Sequence, residues 1–331
     1  MKTTTFATAM AAGLALLTAG GAWAETLRIG VVTPPQQAWT LQTIRFADGL
    51  TEATQGRIET EVFHSGQLGT EADMLRQVQS GTLDMMLITV SELANRVPEI
   101  NLLLAPGLVA SNEQAGRFLT EGETPRALMA LLDSRVGVHG LGYGMAGVTQ
   151  VMTSFDAQSP ADLQGRRVRI TPSPAILAFN QLIGSAPTPL PLPAIYDAFA
   201  NGQVDALETN LDIFRVLNIA DHARTLLLSN QGMFPAVVIV SARTLQRLSA
   251  EDRALLEEHG AAYARGVIDA TLEVEEISHA HFQRLAAEGA LTIVEVAPAD
   301  YADLQAAWDE SFGQGVGDIA ALRAEAAGFA D

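Results

Sequence analysis

Ser159-Pro160-Ala161-Asp162-Leu163-Gln164-Gly165-Arg166-Arg167-Val168-Arg169-Ile170 opens the stretch that decides the fold. It continues through Ala186-Pro187-Thr188-Pro189-Leu190-Pro191 and Ile195-Tyr196-Asp197-Ala198-Phe199 to Gly202-Gln203-Val204-Asp205-Ala206-Leu207-Glu208. Asp162-Leu163-Gln164-Gly165 behind Ser159-Pro160 predicts one helical turn, capped by the serine and stopped by the glycine. Arg166 to Ile170 then alternates polar and apolar side chains, the pattern of a strand entered from a turn. Arg169, near the end of that strand, admits two readings from the residues alone. It is a solvated strand charge, as most arginines are, or a planar, permanently charged fork that matches a carboxylate through two hydrogen bonds.

Outward from this stretch, strands and helices alternate as in layered α/β proteins. Residues 27–32 predict a first strand, residues 58–63 a second and residues 83–88 a third. Trp39 to Ala53 reads as a helix with Leu41, Ile44, Ala47 and Leu50 on its inward stripe. A short helix follows over residues 71–80, and Leu102-Leu103-Leu104-Ala105, broken at Pro106-Gly107, reads as a core strand or loop. Ser249, ahead of Glu251 and Asp252, caps a helical pattern that runs without proline to about Gly289. Leu255, Ala262, Val267 and Val274 lie along it, and its length alone fits either a surface helix or a strap across domains. The chain has no internal repeat or low-complexity linker, so its domain crossings must be short, near residues 144–148 and 231–235.

The opening stretch resembles the substrate-binding proteins of tripartite ATP-independent periplasmic (TRAP) transporters, of the DctP type. The resemblance extends to His64-Ser65-Gly66-Gln67-Leu68-Gly69-Thr70-Glu71, similar to the family's Gly-Gln-Leu-Gly-x-Glu turn, and to Leu93-Ala94-Asn95 with Pro98-Glu99. It covers most of Leu27 to Leu291. It implies an α/β periplasmic binding protein fold of two lobes, with the cleft between them and a long C-terminal helix spanning both. On that pattern residues 1–24 are a signal peptide, and residues 25–146 with about 235–274 form the first lobe. Residues 147–234 with about 275–331 form the second. The arginine of the family's first motif clamps the ligand carboxylate; in this chain it corresponds to Arg169.

Departures from the family narrow the expected site. Where many relatives carry a second arginine, this chain has Thr149. A common amide contact becomes Thr209, between Glu208 and Asn210, and a first-strand asparagine of sialic-acid binders becomes Val32. What remains is one arginine with hydroxyls and apolar walls. That favours a monocarboxylate, or an acid with an apolar or hydroxylated remainder, over sialic acid or a C4-dicarboxylate held by two arginines. Arg169, Thr149, Glu208, Thr209 and Asn210 are expected to bind ligand from one lobe. Thr33, Gln36 and Thr89 are expected to join from the other on closure, with Leu192, Met233 and Phe234 as the apolar wall. A different arginine reaching the cleft, such as Arg96 or Arg215, would restore the missing charge.

Composition bounds the function from another side. Met1-Lys2, an apolar run over residues 9–21 and Ala22-Trp23-Ala24 read as a cleavable export signal, which places the mature protein in a periplasm. There is no cysteine, which excludes a lipid anchor, disulfides and thiolate metal sites. Lys2 is the only lysine, so lysine-based catalysis is excluded from the mature chain. A formal charge of −18 and a pI near 4.6 argue against nucleic-acid binding. They also deny an anion any long-range steering, so an anion site must rest on local arginine and backbone dipoles.

Competing motifs fail on context. Gly142-x-Gly144-x-x-Gly147 spells a dinucleotide fingerprint, yet residues 148–153 continue as strand where the phosphate would need a helix. His279 and His281, two apart on a helix, point to different faces, so neither metal nor other cofactor is expected. No Gly-x-Ser-x-Gly elbow or cysteine nucleophile exists. Three classes stay in play: a monomeric solute receptor serving a permease of small and large membrane subunits, the binding protein of an ATP-driven importer, and a secreted hydrolase. The long helix and the Arg169 motif favour the first. A cation bridging ligand and protein stays open.

Overall fold

The structure, a computed structural model, describes residues 24–330. The signal-peptide reading, apart from Ala24, lies outside the described residues.

Strands β1 (Glu25–Gly30), β2 (Ile58–Phe63), β3 (Met85–Thr89) and β4 (Val138–Val148) build a first sheet. The chain then crosses to a second sheet with β5 (Gln150–Thr153), β6 (Arg167–Ile170), β7 (Ala186–Pro189), β8 (Ala206–Thr209) and β9 (Thr225–Leu228). It returns as β10 (Met233–Ser241) to the first sheet and ends with β11 (Thr292–Glu295) in the second. The spatial orders are β2-β1-β3-β10-β4 and β11-β9-β5-β8-β6-β7. β1 pairs in parallel with β2 and β3, and β6 with β7 and β8; β10 and β5 run antiparallel to their neighbours. Met85–Thr89 is buried along its whole length, as a central strand covered on both faces must be.

The crossings are short and tied together. Thr149, between β4 and β5, donates its N–H to the Gly232 carbonyl at 2.7 Å, and Gln231 N–H donates to the Thr149 carbonyl at 3.2 Å. Two chain segments bonded side by side leave the lobes one narrow junction to flex about. A third connection is the helix Ala250–Ala287, whose 38 residues span about 57 Å at 1.5 Å per residue. Tyr263, Ala264 and Val267 pack its first half into the core of the first lobe. Farther along, Phe282 enters the core of the second, and Arg215 Nε donates to Ser278 Oγ at 3.2 Å. Ala262, next to Tyr263 in the chain, is exposed.

That helix explains the glycines of the false fingerprint. A Cβ on Gly142 would lie 2.7 Å from the Ala264 Cβ, and one on Gly144 2.8 Å from Val267 Cγ1. Gly142 and Gly144 are bare so that the helix can lie directly on β4. Gly144→Val is therefore expected to cost about 1–3 kcal/mol by overpacking. An unchanged midpoint in urea would show that the helix has room to move.

Two sequence expectations are corrected. The helix Ala38–Ala53 buries Trp39, Thr43, Phe46, Ala47 and Leu50, whereas Leu41 and Ile44 are 45% and 38% exposed. Its rotation is set by three contacts: Trp39 Nε1–H to the Met145 carbonyl at 2.9 Å, Thr43 Oγ1 against Tyr263 Oη at 2.5 Å, and Phe46 stacked on Tyr263. The leucine run is neither strand nor loop but the end of the buried 3-10 helix Pro98–Leu104. The closing helices, read from sequence as part of the second lobe, touch both lobes. Trp308 Nε1–H donates to the Ala175 carbonyl at 3.0 Å, while Gln114 Nε2 donates to the Ala326 carbonyl at 2.8 Å.

Candidate functional site

A cavity of about 250 Å³ lies between the sheets. Its polar wall comes from residues at or past the C-terminal ends of β1, β2, β3, β6 and β8, where open α/β sheets leave a crevice. Helices start near these points, and four of their caps are occupied, whereas Ser173 ahead of the helix Pro174–Ile183 makes no cap bond. Gln37 Oε1 accepts from Trp39 N–H at 2.7 Å, Thr70 Oγ1 from Asp73 N–H at 3.2 Å, Thr89 Oγ1 from Glu92 N–H at 3.3 Å and Asn210 Oδ1 from Ile213 N–H at 3.0 Å. The helix dipoles at this convergence favour negative charge. The lobes also meet at the rim, where Asn95 Nδ2 donates to the Pro172 carbonyl at 3.3 Å.

Arg169 on β6 is the one cationic side chain lining this cavity among the described residues. It is 2% exposed, so the reading as a solvated strand charge falls. Its Nε and Nη2 donate to the Leu190 carbonyl at 2.9 and 2.7 Å, and Nη1 donates to the Glu208 carbonyl at 3.0 Å. A guanidinium has five N–H groups. These bonds leave one N–H unspent on each Nη, two donors for a carboxylate. Burial pulls the guanidinium down to about 10, and the nearby Glu208 and Glu71 oppose the shift. It stays charged at neutral pH.

Two carboxyl groups flank it. Glu71 starts the helix Glu71–Ser80, borders the cavity and is half-buried. It accepts from Thr89 N–H at 2.8 Å and from Thr89 Oγ1 at 2.7 Å. Burial pushes it up to about 7, against those two bonds and the pull of Arg169, with Glu92 adding repulsion. Glu208 lies behind the guanidinium and takes Asn180 Nδ2 at 2.8 Å; burial pushes it, too, up to about 7.

Seven of the expected residues, Thr33, Thr89, Arg169, Leu192, Thr209, Asn210 and Phe234, line the cavity. Gln36 does not; it is exposed, and its neighbour Gln37 takes the wall because it caps the helix that begins there. Thr149, Glu208 and Met233 instead border a separate space of about 20 Å³ behind Arg169. Thr149 is held there by the bonded crossing. Arg96 and Arg215 do not reach the cavity: Arg96 lies 3.8 Å from Glu92, and Arg215 pairs with Asp212 at 2.5 Å. Sequence reasoning missed Glu71, Glu92 and Trp39. Glu71 closes the Gly-Gln-Leu-Gly-x-Glu turn, so its signal was in hand; Trp39 reads as a core residue and gives no separate sign of lining a cavity.

Two α/β lobes joined by a paired crossing and enclosing an arginine-bearing cavity make a two-lobed solute receptor. Residues 29–314 match the bacterial extracellular solute-binding protein family 7, DctP, and the chain belongs to that family of TRAP receptors. A solute-binding protein of Roseobacter denitrificans is 30% identical over 62% of this chain and 63% of that protein, a little under two thirds of its length. The 2,3-diketo-L-gulonate-binding periplasmic protein of Escherichia coli is 28% identical over 72% of this chain and 73% of its own. Among solved structures, a TRAP periplasmic solute-binding protein from Bradyrhizobium in complex with D-galacturonate has a TM-score of 0.82 at 26% identity, covering 91% of this chain and 99% of that one. One from Shewanella oneidensis with bound succinate reaches 0.84 at 17% identity, over 92% and 99%, and shares the fold.

Proposed function

We propose that this receptor works in the periplasm, where it captures a small organic acid with one carboxylate and delivers it to a membrane permease of one small and one large subunit. The observation that carries this reading is the buried Arg169 guanidinium, with an unspent N–H on each Nη, bordering a cavity whose other walls are apolar, hydroxyl- or amide-bearing, or acidic. The acid binds Arg169 on the second lobe. Thr33, Gln37, Glu71 and Thr89 contact it from the first lobe once the lobes close about the Thr149–Gly232 junction. Ligand that touches both walls binds the closed form better and shifts the equilibrium toward it by that difference.

Relatives that bind 2,3-diketo-L-gulonate and D-galacturonate support the class, since both acids carry one carboxylate and a hydroxylated remainder. A second carboxylate would face Glu71 and Glu92 with no cation left for it. Calorimetric titration with D-galacturonate, D-glucuronate and pantoate against succinate and malate tests this. Monocarboxylates are expected to win by roughly tenfold or more, the cost of a buried unpaired charge. Preferred binding of succinate or malate would overturn the single-carboxylate reading; no binding of any acid would overturn the clamp.

A further inference from the structure

The charges around Arg169 do not balance once an acid arrives. One guanidinium stands between Glu71 in front and Glu208 behind, and both carboxyl groups act on it electrostatically. An incoming carboxylate would be a third anion around one cation in an enclosed space. Groups crowded in this way do not all stay ionised; one holds a proton.

We propose, building on the acid-capture reading, that binding of the acid is coupled to the uptake of one proton, and that Glu71 carries it.

Geometry picks Glu71. Its carboxyl group borders the cavity, fixed by Thr89 N–H and Oγ1, so the ligand charge comes to rest beside it. Glu208 presents only its backbone carbonyl to the guanidinium, while its carboxylate turns back to Asn180 Nδ2. Glu92, on the helix Val90–Ala94, has a cation of its own in Arg96 and accepts from Asn95 Nδ2 at 3.5 Å. On the helix of Glu71 itself, Asp73 and Arg76 pair with each other. From β6, Arg169 is the only charge that draws the proton off Glu71, and bound ligand occupies that charge.

The direction with pH follows. Free Glu71 sits near 7. A neighbouring anion raises it further, so the complex holds a proton that the free protein has lost at higher pH. Affinity is level well below 7, where both forms are protonated. Above 7 it falls, by at most about tenfold per pH unit for one proton.

The test is calorimetry with D-galacturonate, D-glucuronate and pantoate from pH 5.5 to 8.5, in pairs of buffers that differ in protonation enthalpy. The acids themselves stay ionised throughout this range. The expected result is a Kd that rises several-fold to tenfold per unit above pH 7, with net proton uptake approaching one. In Glu71→Gln, which keeps an acceptor for Thr89 N–H, the profile becomes flat and proton uptake is lost. A flat wild-type profile without proton uptake overturns the coupling while leaving acid capture standing. A slope that survives in Glu71→Gln overturns the assignment to Glu71. A wild type that binds none of these acids at any pH overturns the capture reading and the coupling together.

Discussion

Arg169→Ala is expected to weaken acid binding by about a hundredfold or more while the protein stays folded. The variant leaves the ligand carboxylate enclosed beside Glu71 with no cation. Truncating one partner of a buried charged pair costs about 2–5 kcal/mol, and each 1.4 kcal/mol is a factor of ten in Kd. Arg169→Lys is expected to fail almost as badly. The guanidinium holds the Leu190 and Glu208 carbonyls and still offers one N–H on each Nη. An ammonium concentrates three donors on one atom and cannot span those partners and a carboxylate together. Burial would also drive its proton off. Calorimetric titration decides the first claim and thermal unfolding the second; a near-normal titration by the alanine variant would remove Arg169 from its role.

Trp308→Ala is expected to produce the largest loss of stability, about 3–5 kcal/mol. Trp308 is 0% exposed, stacks at a tilt on Phe312 and donates Nε1–H to the Ala175 carbonyl at the head of the helix Pro174–Ile183. Its removal opens a ring-sized hole in the shared core and takes away a buried hydrogen bond to that helix. The midpoint of thermal unfolding should fall on the order of 10 °C. Trp308→Phe, which refills part of the volume but cannot donate, should fall between. A midpoint within a degree of the wild type would mean that the closing helices contribute little to the lobe they cover.

Local patterns with one physical reading carried straight through from sequence to structure. The period-two run 58–63 is β2 residue for residue, Ser249 caps the helix Ala250–Ala287, and residues 71–80 form the short helix as read. These features depend on neighbours along the chain: alternation, a capping hydroxyl, a glycine stop. Helix rotation was not legible. Leu41 and Ile44 form an apolar stripe as good as the real one, and only the partners Met145 and Tyr263, far away in the chain, choose Trp39 and Thr43 instead.

The same division runs through the candidate site. From the sequence and its resemblance to the family came the position of Arg169 and the absence of a second arginine where relatives place one. Those are matters of residue identity in a local motif, and an arginine fork or its replacement by threonine is legible without coordinates. Only the tertiary structure decided that Gln37 rather than Gln36 faces the cavity, and that Thr149 and Met233 lie behind Arg169. It alone brought Glu71 opposite Arg169, although their places in the chain are far apart. The physical reason is that burial and charge balance belong to a point in space. Glu71 is an ordinary helix-start acid along the chain, and it becomes a group that titrates near neutrality only where the two lobes enclose it beside a single guanidinium.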